Sequence, residues 1–151
     1  MQLDSNYKGD NMGLDMFLEG VNYYKEERDE NYNITKKRVI KKTLICQWRK
    51  ANHIHNYFNK IISESYELDE IENLQHYEIY MEDILKFIDT CKKVVSNRNL
   101  AKKLMPTQEG FFFGSTNYDK WYYDTLIETV NELENVLKEN NFDYFEYHAW
   151  W

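Results

Sequence analysis

The spacing of apolar residues limits the fold most, because it has a helical period in the middle of the chain but not at its ends. Three segments place apolar side chains every three or four residues, which predicts helices from about 49 to 65, 76 to 96 and 117 to 140. Pro106 ends any helix before it, and a short helical turn is predicted at 99–104. The two ends of the chain must therefore supply any sheet.

Both ends have the composition of β-strands. Residues 13–24 alternate in part between apolar and polar side chains, with Gly20 as a predicted bend or bulge. Residues 34–48 are rich in β-branched side chains, and 142–151 alternate well enough for a closing strand. We therefore expect an α+β domain in which an N-terminal hairpin and the C-terminal strand form a small antiparallel sheet against about three helices. The last strand is predicted to lie beside the first.

The charge of the chain limits its partners. Nineteen Lys and Arg face 26 Asp and Glu, for a net charge of −7, which disfavours direct nucleic-acid binding. An acidic surface could instead compete with nucleic acid for a basic protein. No apolar run approaches the roughly 18 residues of a transmembrane helix, and the first residues lack the features of a signal peptide. Cys46 and Cys91 are therefore expected to be reduced, buried side chains in a cytoplasm.

The segment "CQWRKANHIHNYF" at 46–58 contains two histidines. On a helix, His53 and His55 are about 200° apart and cannot share a metal ion. Neither an HExxH nor a paired CxxC motif completes a site, so no metal and no cofactor are expected. His55 lies near the apolar stripe and is predicted to be a hydrogen-bonded core histidine. The other side of the helix is predicted to be polar, with Arg49, Asn52, His53, Asn56 and Lys60.

The first turn of this helix is a candidate anion site. Free backbone N–H groups and the helix dipole favour a negative charge there, and the Arg49 guanidinium suits phosphate or carboxylate. An exposed basic turn paired with surface acids remains the alternative. The predicted ligand-binding side chains in this half of the site are Trp48, Arg49, Lys50, Asn52 and His53.

The segment "LMPTQEGFFFGSTNYDKWYYDTL" at 104–126 is predicted to face that turn. Gly110 and Gly114 permit a positive φ or a close approach of the chain. Ser115 does not lie in a nucleophile elbow, since no second glycine follows it at the required spacing. The predicted ligand-binding side chains in this half are Thr107, Gln108, Phe112, Ser115, Thr116 and Tyr118.

The three consecutive phenylalanines of this segment divide between core and surface. At least two of them are expected in the core, with Phe111 and Phe113 facing one way and Phe112 the other, as in an extended chain. One of the rings could stack on a base. The following helix is predicted to be capped by Ser115 or Thr116, with Thr116-x-x-Asp119 as a capping box.

Three blocks of the chain resemble a family of small, mostly uncharacterised proteins of tailed bacteriophages. They are "MGLDMFL" (12–18), "WRKANHIHNYF" (48–58) and "LMPTQEGFFFGSTNYDKWYYDTL" (104–126), and the aromatic tail also fits. The chain departs from the family in eleven additional residues before Met12 and in Phe17, where Tyr is usual. The resemblance implies an N-terminal extension (1–11), a single domain (12–151) and an accessory role in the cytoplasm of an infected bacterium.

Three functions remain open from the sequence. The first is a non-catalytic antagonist of host defence that binds a small phosphorylated or nucleotide ligand. The second is an acidic inhibitor of a host or CRISPR-type defence nuclease, acting as a nucleic-acid mimic. The third is an enzyme on nucleotides or nucleic acid that uses His53 or His55 as general base. Expected partners are the ligand or a host protein, without a membrane, and homo-oligomers remain open.

Overall fold

The computed structural model describes residues 13–23, 27–33 and 40–151, which form an α+β fold with four strands and four helices. The predicted fold class is confirmed. The predicted extension at 1–11 and the first part of the predicted second strand, 34–39, lie outside the described residues. The strands are β1 (Asp15–Tyr23), β2 (Ile40–Arg49), β3 (Tyr77–Ile79) and β4 (Tyr144–Trp150). The helices are α1 (Asn52–Tyr66), α2 (Met81–Ser96), α3 (Ala101–Leu104, after a 3₁₀ turn at Arg98–Leu100) and α4 (Lys120–Glu139).

The sheet is antiparallel and has the strand order β2-β1-β4-β3, so the last strand lies beside the first as predicted. Its inner face is buried under the helices. Tyr147 of β4 stacks on Phe58 of α1, and the Trp48 indole of β2 donates a hydrogen bond to Thr129 of α4. The outer face carries the alternate, partly exposed side chains, such as Phe17 of β1. Because side chains alternate between the two faces of the sheet, the polar side chains of the outer face are separate from those that lie under the helices.

The third strand was not predicted, because the second helix was expected to begin at about residue 76. Tyr77 and Ile79 are buried and alternate with exposed Glu78, so these three residues pair with β4 instead. The Asp83 carboxylate then accepts a hydrogen bond from the Tyr80 backbone N–H at 3.0 Å, which fixes the start of α2 at Met81. This bond from the N-cap backbone to the third residue of the helix is one half of a capping box, which marks the beginning of a helix.

Gly20 is explained by close packing rather than by the predicted bulge. The irregularity of the hairpin lies between Leu18 and Glu19, where β2 has one additional residue, Ile45. A Cβ atom on Gly20 would lie 2.4 Å from the Phe142 ring, which rests directly on the strand at this point. The glycine therefore makes room for an aromatic side chain.

The substitution Gly20→Ala is expected to destabilise the protein by about 2 kcal/mol, because the methyl group and the Phe142 ring cannot occupy the same space. Urea denaturation would measure the change. In a Phe142→Ala background the same substitution should cost far less. An equal cost in both backgrounds would show that the ring is not the reason for the glycine.

Two further expectations concern the composition of the chain. Cys46 and Cys91 are both free and buried, as predicted, and burial raises the pKa of each thiol. None of the helices in the described part of the chain combines the length and apolar composition needed to cross a membrane.

Candidate functional site

The three sequence blocks meet at one end of the sheet. The Leu14 backbone N–H donates to the Phe112 carbonyl at 3.4 Å, and the Leu14 carbonyl accepts from the Lys50 N–H at 2.7 Å. The start of β1 therefore lies between the segment that leads into α1 and the phenylalanine segment. The predicted contact between the second and third blocks is confirmed.

Asn52, the first residue of α1, holds this contact together. Its Nδ2 donates to the carbonyls of Phe113 and Ser115 at 3.0 and 2.9 Å, and its Oδ1 accepts from the Gln108 N–H at 2.9 Å. The residue was predicted on the polar side of the helix as a ligand-binding side chain, and it is fully buried. The reason is that the loop after Pro106 covers the start of the helix. The amide of Asn52 shapes the loop and is not free to contact a ligand.

Replacing Asn52 by alanine is expected to lower the free energy of unfolding by about 3 kcal/mol, because one buried and two partly buried backbone groups lose their partner. Asn56→Ala is the matched control, since half-buried Asn56 donates one bond to the Pro106 carbonyl at 3.0 Å. The control should cost at most about 1 kcal/mol. Equal costs in chemical denaturation would contradict the role of Asn52.

The loop is also closed by its own side chains. The Thr107 hydroxyl donates to the Thr116 carbonyl at 3.0 Å, and the Thr107 N–H donates to the Tyr118 hydroxyl at 3.1 Å. The Ser115 hydroxyl accepts from the Asn117 N–H at 3.1 Å. The predicted capping box is wrong: Asp119 caps α4 by accepting from the Tyr122 N–H at 3.1 Å. Three side chains predicted to bind a ligand, those of Thr107, Ser115 and Tyr118, thus hold the loop in shape.

The phenylalanines form a tight turn and not an extended segment. The Phe113 N–H donates to the Gly110 carbonyl at 3.1 Å, and Phe112 has a φ of +61°. Phe113 is buried, whereas Phe111 and Phe112 are 83% and 39% exposed. The prediction of two core phenylalanines is therefore wrong. The glycine predictions are confirmed, since Gly114 has a φ of +88° and the Phe113 ring packs against Gly110.

The two histidines of α1 are both buried and neutral at pH 7. His55 is a core histidine as predicted, with Nδ1 2.7 Å from the Tyr147 hydroxyl. His53 stacks on Tyr122 with 4.1 Å between ring centroids, and neither ring nitrogen has a hydrogen-bond partner among the described residues. Burial lowers the pKa of each from 6.5 to about 4. His53 was expected on the polar side of the helix, and it is buried under Trp121 and Tyr122.

The remaining predicted residues do not converge on the start of α1. Trp48 is buried, and its indole N–H donates a hydrogen bond to Thr129. Arg49 is exposed and lies at the end of β2 rather than in the helix. Lys50 is half-buried with a φ of +55°. The helix begins three residues later than predicted, and none of the cations among the described residues is buried beside the expected anion pocket.

An acidic cleft of about 250 Å³ lies where α1 meets the phenylalanine turn. Gln108 of the predicted site contributes to it, and its Oε1 is shielded from solvent without a hydrogen-bond partner among the described residues. The acidic side chains among the described residues on its walls are Glu70 and Glu109, and no Lys or Arg of the described residues lines it. The cleft suits a cation or a hydrogen-bond donor. Its other walls include Asn59, Phe111 and Trp151.

A second cleft, of about 290 Å³, lies between α1, α2 and the end of α3; we call it the lysine cleft. Lys60, Lys86 and Lys103 line it, and none of them makes an ion pair with a carboxylate in the described ranges. Glu64 is the one carboxylate on its walls. The walls also include Asn56, Tyr57, Ile61, Thr90, Leu104 and Pro106. The cleft therefore combines a net positive charge with an aromatic and apolar surface.

Sequence reasoning missed this cleft, although Lys60 was placed on the polar side of α1. Lys86 and Lys103 come from two other segments, and no spacing in the sequence connects the three. Comparison with protein-family models, curated proteins and solved structures finds no match for this chain.

Proposed function

We propose that this protein binds a small phosphorylated ligand, such as a nucleotide, in the lysine cleft and does not transform it. The observation that carries the proposal is the convergence of Lys60, Lys86 and Lys103 without carboxylate partners in the described part of the chain. Three like charges at one cleft repel one another, and a phosphate group relieves that repulsion while accepting hydrogen bonds.

The walls of the cleft suit the rest of such a ligand. The ring of half-buried Tyr57 rests against Phe87 with 5.1 Å between centroids, so it is held in place and can contact a base or sugar. Leu104 and Pro106 extend this apolar surface. The volume of about 290 Å³ lies at the small end of ligand pockets, which favours a mononucleotide or a small phosphorylated metabolite.

An adjoining groove of about 320 Å³ shares Tyr57, Glu64 and Lys86 with the cleft and extends it towards Asp83. Its two carboxylates disfavour a second phosphate at that end and favour hydrogen-bond donors, such as the exocyclic amine of a base. We infer that the phosphate lies at the lysine end and the base towards Asp83.

A binding role without catalysis fits the positions of the titratable groups. The histidines considered as general bases, His53 and His55, are buried and neutral, and neither lines the lysine cleft. The resemblance to small proteins of tailed phages suggests the setting. Sequestration of a phosphorylated signal inside an infected bacterium would antagonise a host defence.

The test is calorimetric titration with a panel of mononucleotides, cyclic nucleotides, dinucleotides and sugar phosphates, each beside its dephosphorylated counterpart. At least one phosphorylated compound is expected to bind, its counterpart should not, and added salt should weaken binding. If no compound of the panel bound at micromolar concentrations of the protein, the result would contradict the proposal.

The acidic cleft favours a second candidate, an inhibitor that binds a basic side chain of a host protein. The carboxylates of Glu70 and Glu109 and the unpartnered Gln108 Oε1 suit a Lys or Arg side chain, and exposed Phe111 and Trp151 offer apolar contact. A stoichiometric host protein that survives nuclease treatment, and that is lost on Glu70→Lys with Glu109→Lys, would favour this function.

A further inference from the structure

The outer face of the sheet carries a cluster that belongs to neither cleft. Glu19 lies on β1, His148 on β4, and His76 immediately precedes β3. Each offers one ligand atom, and these three atoms all lie within 4.8 Å of one another. Strand pairing brings the residues together, since Tyr77 is opposite Tyr147 and Phe17 is opposite His148.

The types of donor atom in the cluster suit a single ion. The rings of His76 and His148 stack face to face, with 3.9 Å between centroids and 16° between planes, so the lone pairs in the two ring planes run side by side and do not meet at one point. The Glu19 Oε1 is 3.5 Å from the His148 Nδ1. Ligand atoms about one tetrahedral zinc ion are about 3.3 Å apart, as follows from bonds of 2.0–2.1 Å. Rotation of the half-exposed His76 ring out of this stack would turn its nitrogen lone pair towards the other two ligand atoms and bring the set to that spacing.

One atom of the cluster lacks a partner. The His148 Nδ1 is shielded from solvent and makes no hydrogen bond of good geometry to any described residue, although Glu19 is near. A buried polar atom without a partner is costly. A cation between the carboxylate and the imidazole would satisfy both groups.

The surroundings orient the ligands. The Glu146 carboxylate is 3.3 Å from the His76 Nδ1 and also pairs with the Lys42 ammonium at 2.6 Å. A carboxylate on the second ring nitrogen is the usual support of a metal-binding histidine, and it leaves Nε2 for the ion. Phe17 stacks on the His148 ring at 4.9 Å and limits its rotation. The Lys42 charge, which would oppose a cation, is matched by Glu146.

We propose that Glu19, His76 and His148 bind one zinc ion on the outer face of the sheet, with water in the fourth position and Glu146 orienting His76. Imidazole and carboxylate ligands in a set of three are typical of zinc sites that keep an open position. The site is independent of the lysine cleft, so either proposal can fail without the other.

The test uses the tag-free, full-length chain, stripped with a chelator and titrated with zinc chloride in a calorimeter. One ion per chain is expected. Loss of either imidazole, in His76→Ala or in His148→Ala, should raise the dissociation constant for zinc at least about tenfold. Glu146→Gln should raise it about tenfold to a hundredfold. Glu128→Gln, an exposed carboxylate on α4, is the charge-matched control and should bind as the unaltered protein does.

A second readout separates ligation from folding. Because His76 is exposed, the His76→Ala variant should have the same circular dichroism spectrum as the unaltered protein. When cobalt replaces zinc, the visible absorption that depends on imidazole ligation should be lost in this variant. Absence of zinc binding by the unaltered chain would overturn the proposal. Binding of unchanged affinity in folded His76→Ala would overturn it as well.

Discussion

Replacing Lys60 and Lys103 together by glutamine is expected to weaken the binding of a phosphorylated ligand at least about a hundredfold. Hydrogen bonds to charged groups contribute about 1.5–3 kcal/mol each, so the loss of two such bonds costs about 3 kcal/mol or more. Both side chains are exposed at the lysine cleft, so their removal should leave the free energy of unfolding unchanged. Calorimetry with the tightest ligand of the panel gives the dissociation constants.

The control for this variant changes the same net charge elsewhere. Lys120 and Lys138 are exposed on α4, and neither lines the lysine cleft. Their joint replacement by glutamine should alter the dissociation constant less than about threefold through long-range electrostatics alone. If the control weakens binding as much as the cleft variant does, the attraction is general and the assignment to the cleft is wrong.

Acidification from pH 7 to pH 4 is expected to destabilise the protein by several kcal/mol through His53 and His55. Burial lowers the pKa of each from 6.5 to about 4, so the unfolded chain binds protons that the folded chain cannot. Stability is therefore full above pH 6.5 and falls as the pH approaches 4. Each histidine contributes about 3 kcal/mol over that window. Urea denaturation at a series of pH values would measure the decline.

A substitution distinguishes the contribution of the histidines to the loss of stability in acid from that of the carboxylates. His53→Phe keeps a ring against Tyr122 and removes the titrating group, and His53 makes no hydrogen bond to the described residues that would be lost. The variant should lose about 3 kcal/mol less stability between pH 7 and pH 4 than the unaltered protein. A His53→Phe profile as steep as the unaltered one would place the acid sensitivity elsewhere.

The parts of the fold that sequence could predict are those with a local cause. Helical spacing identified α1, α2 and α4, and β-branched or alternating residues identified β1, β2 and β4. The three residues of β3 are too few for a period to show, and only pairing with β4 makes them a strand. Local patterns therefore predicted the three long helices and the strands β1, β2 and β4, but not β3.

The predicted site failed where tertiary contacts override local patterns. On a helix wheel Asn52 and His53 lie on a polar side, but the loop at 107–118 and the residues Trp121 and Tyr122 cover them. The glycines correctly marked that loop as tightly packed. The side chains of Thr107, Ser115 and Tyr118 were taken for ligand contacts, although they bond to the loop's own backbone.

The two sites proposed from the structure could not be predicted from any segment alone. Lys60, Lys86 and Lys103 lie on three helices, and the spacing between them has no sequence signature. Glu19, His76 and His148 require the strand register, including the unpredicted β3. Such sites become visible only when topology is known.

The most direct test of the central claim is a nuclear magnetic resonance titration of isotope-labelled protein with the tightest phosphorylated ligand of the panel. Binding in the lysine cleft predicts that the largest shifts fall on the backbone amides of Lys60, Lys86, Lys103 and their immediate neighbours. The largest shifts around Arg49, His53 and Thr107, or scattered shifts without saturation, would contradict it.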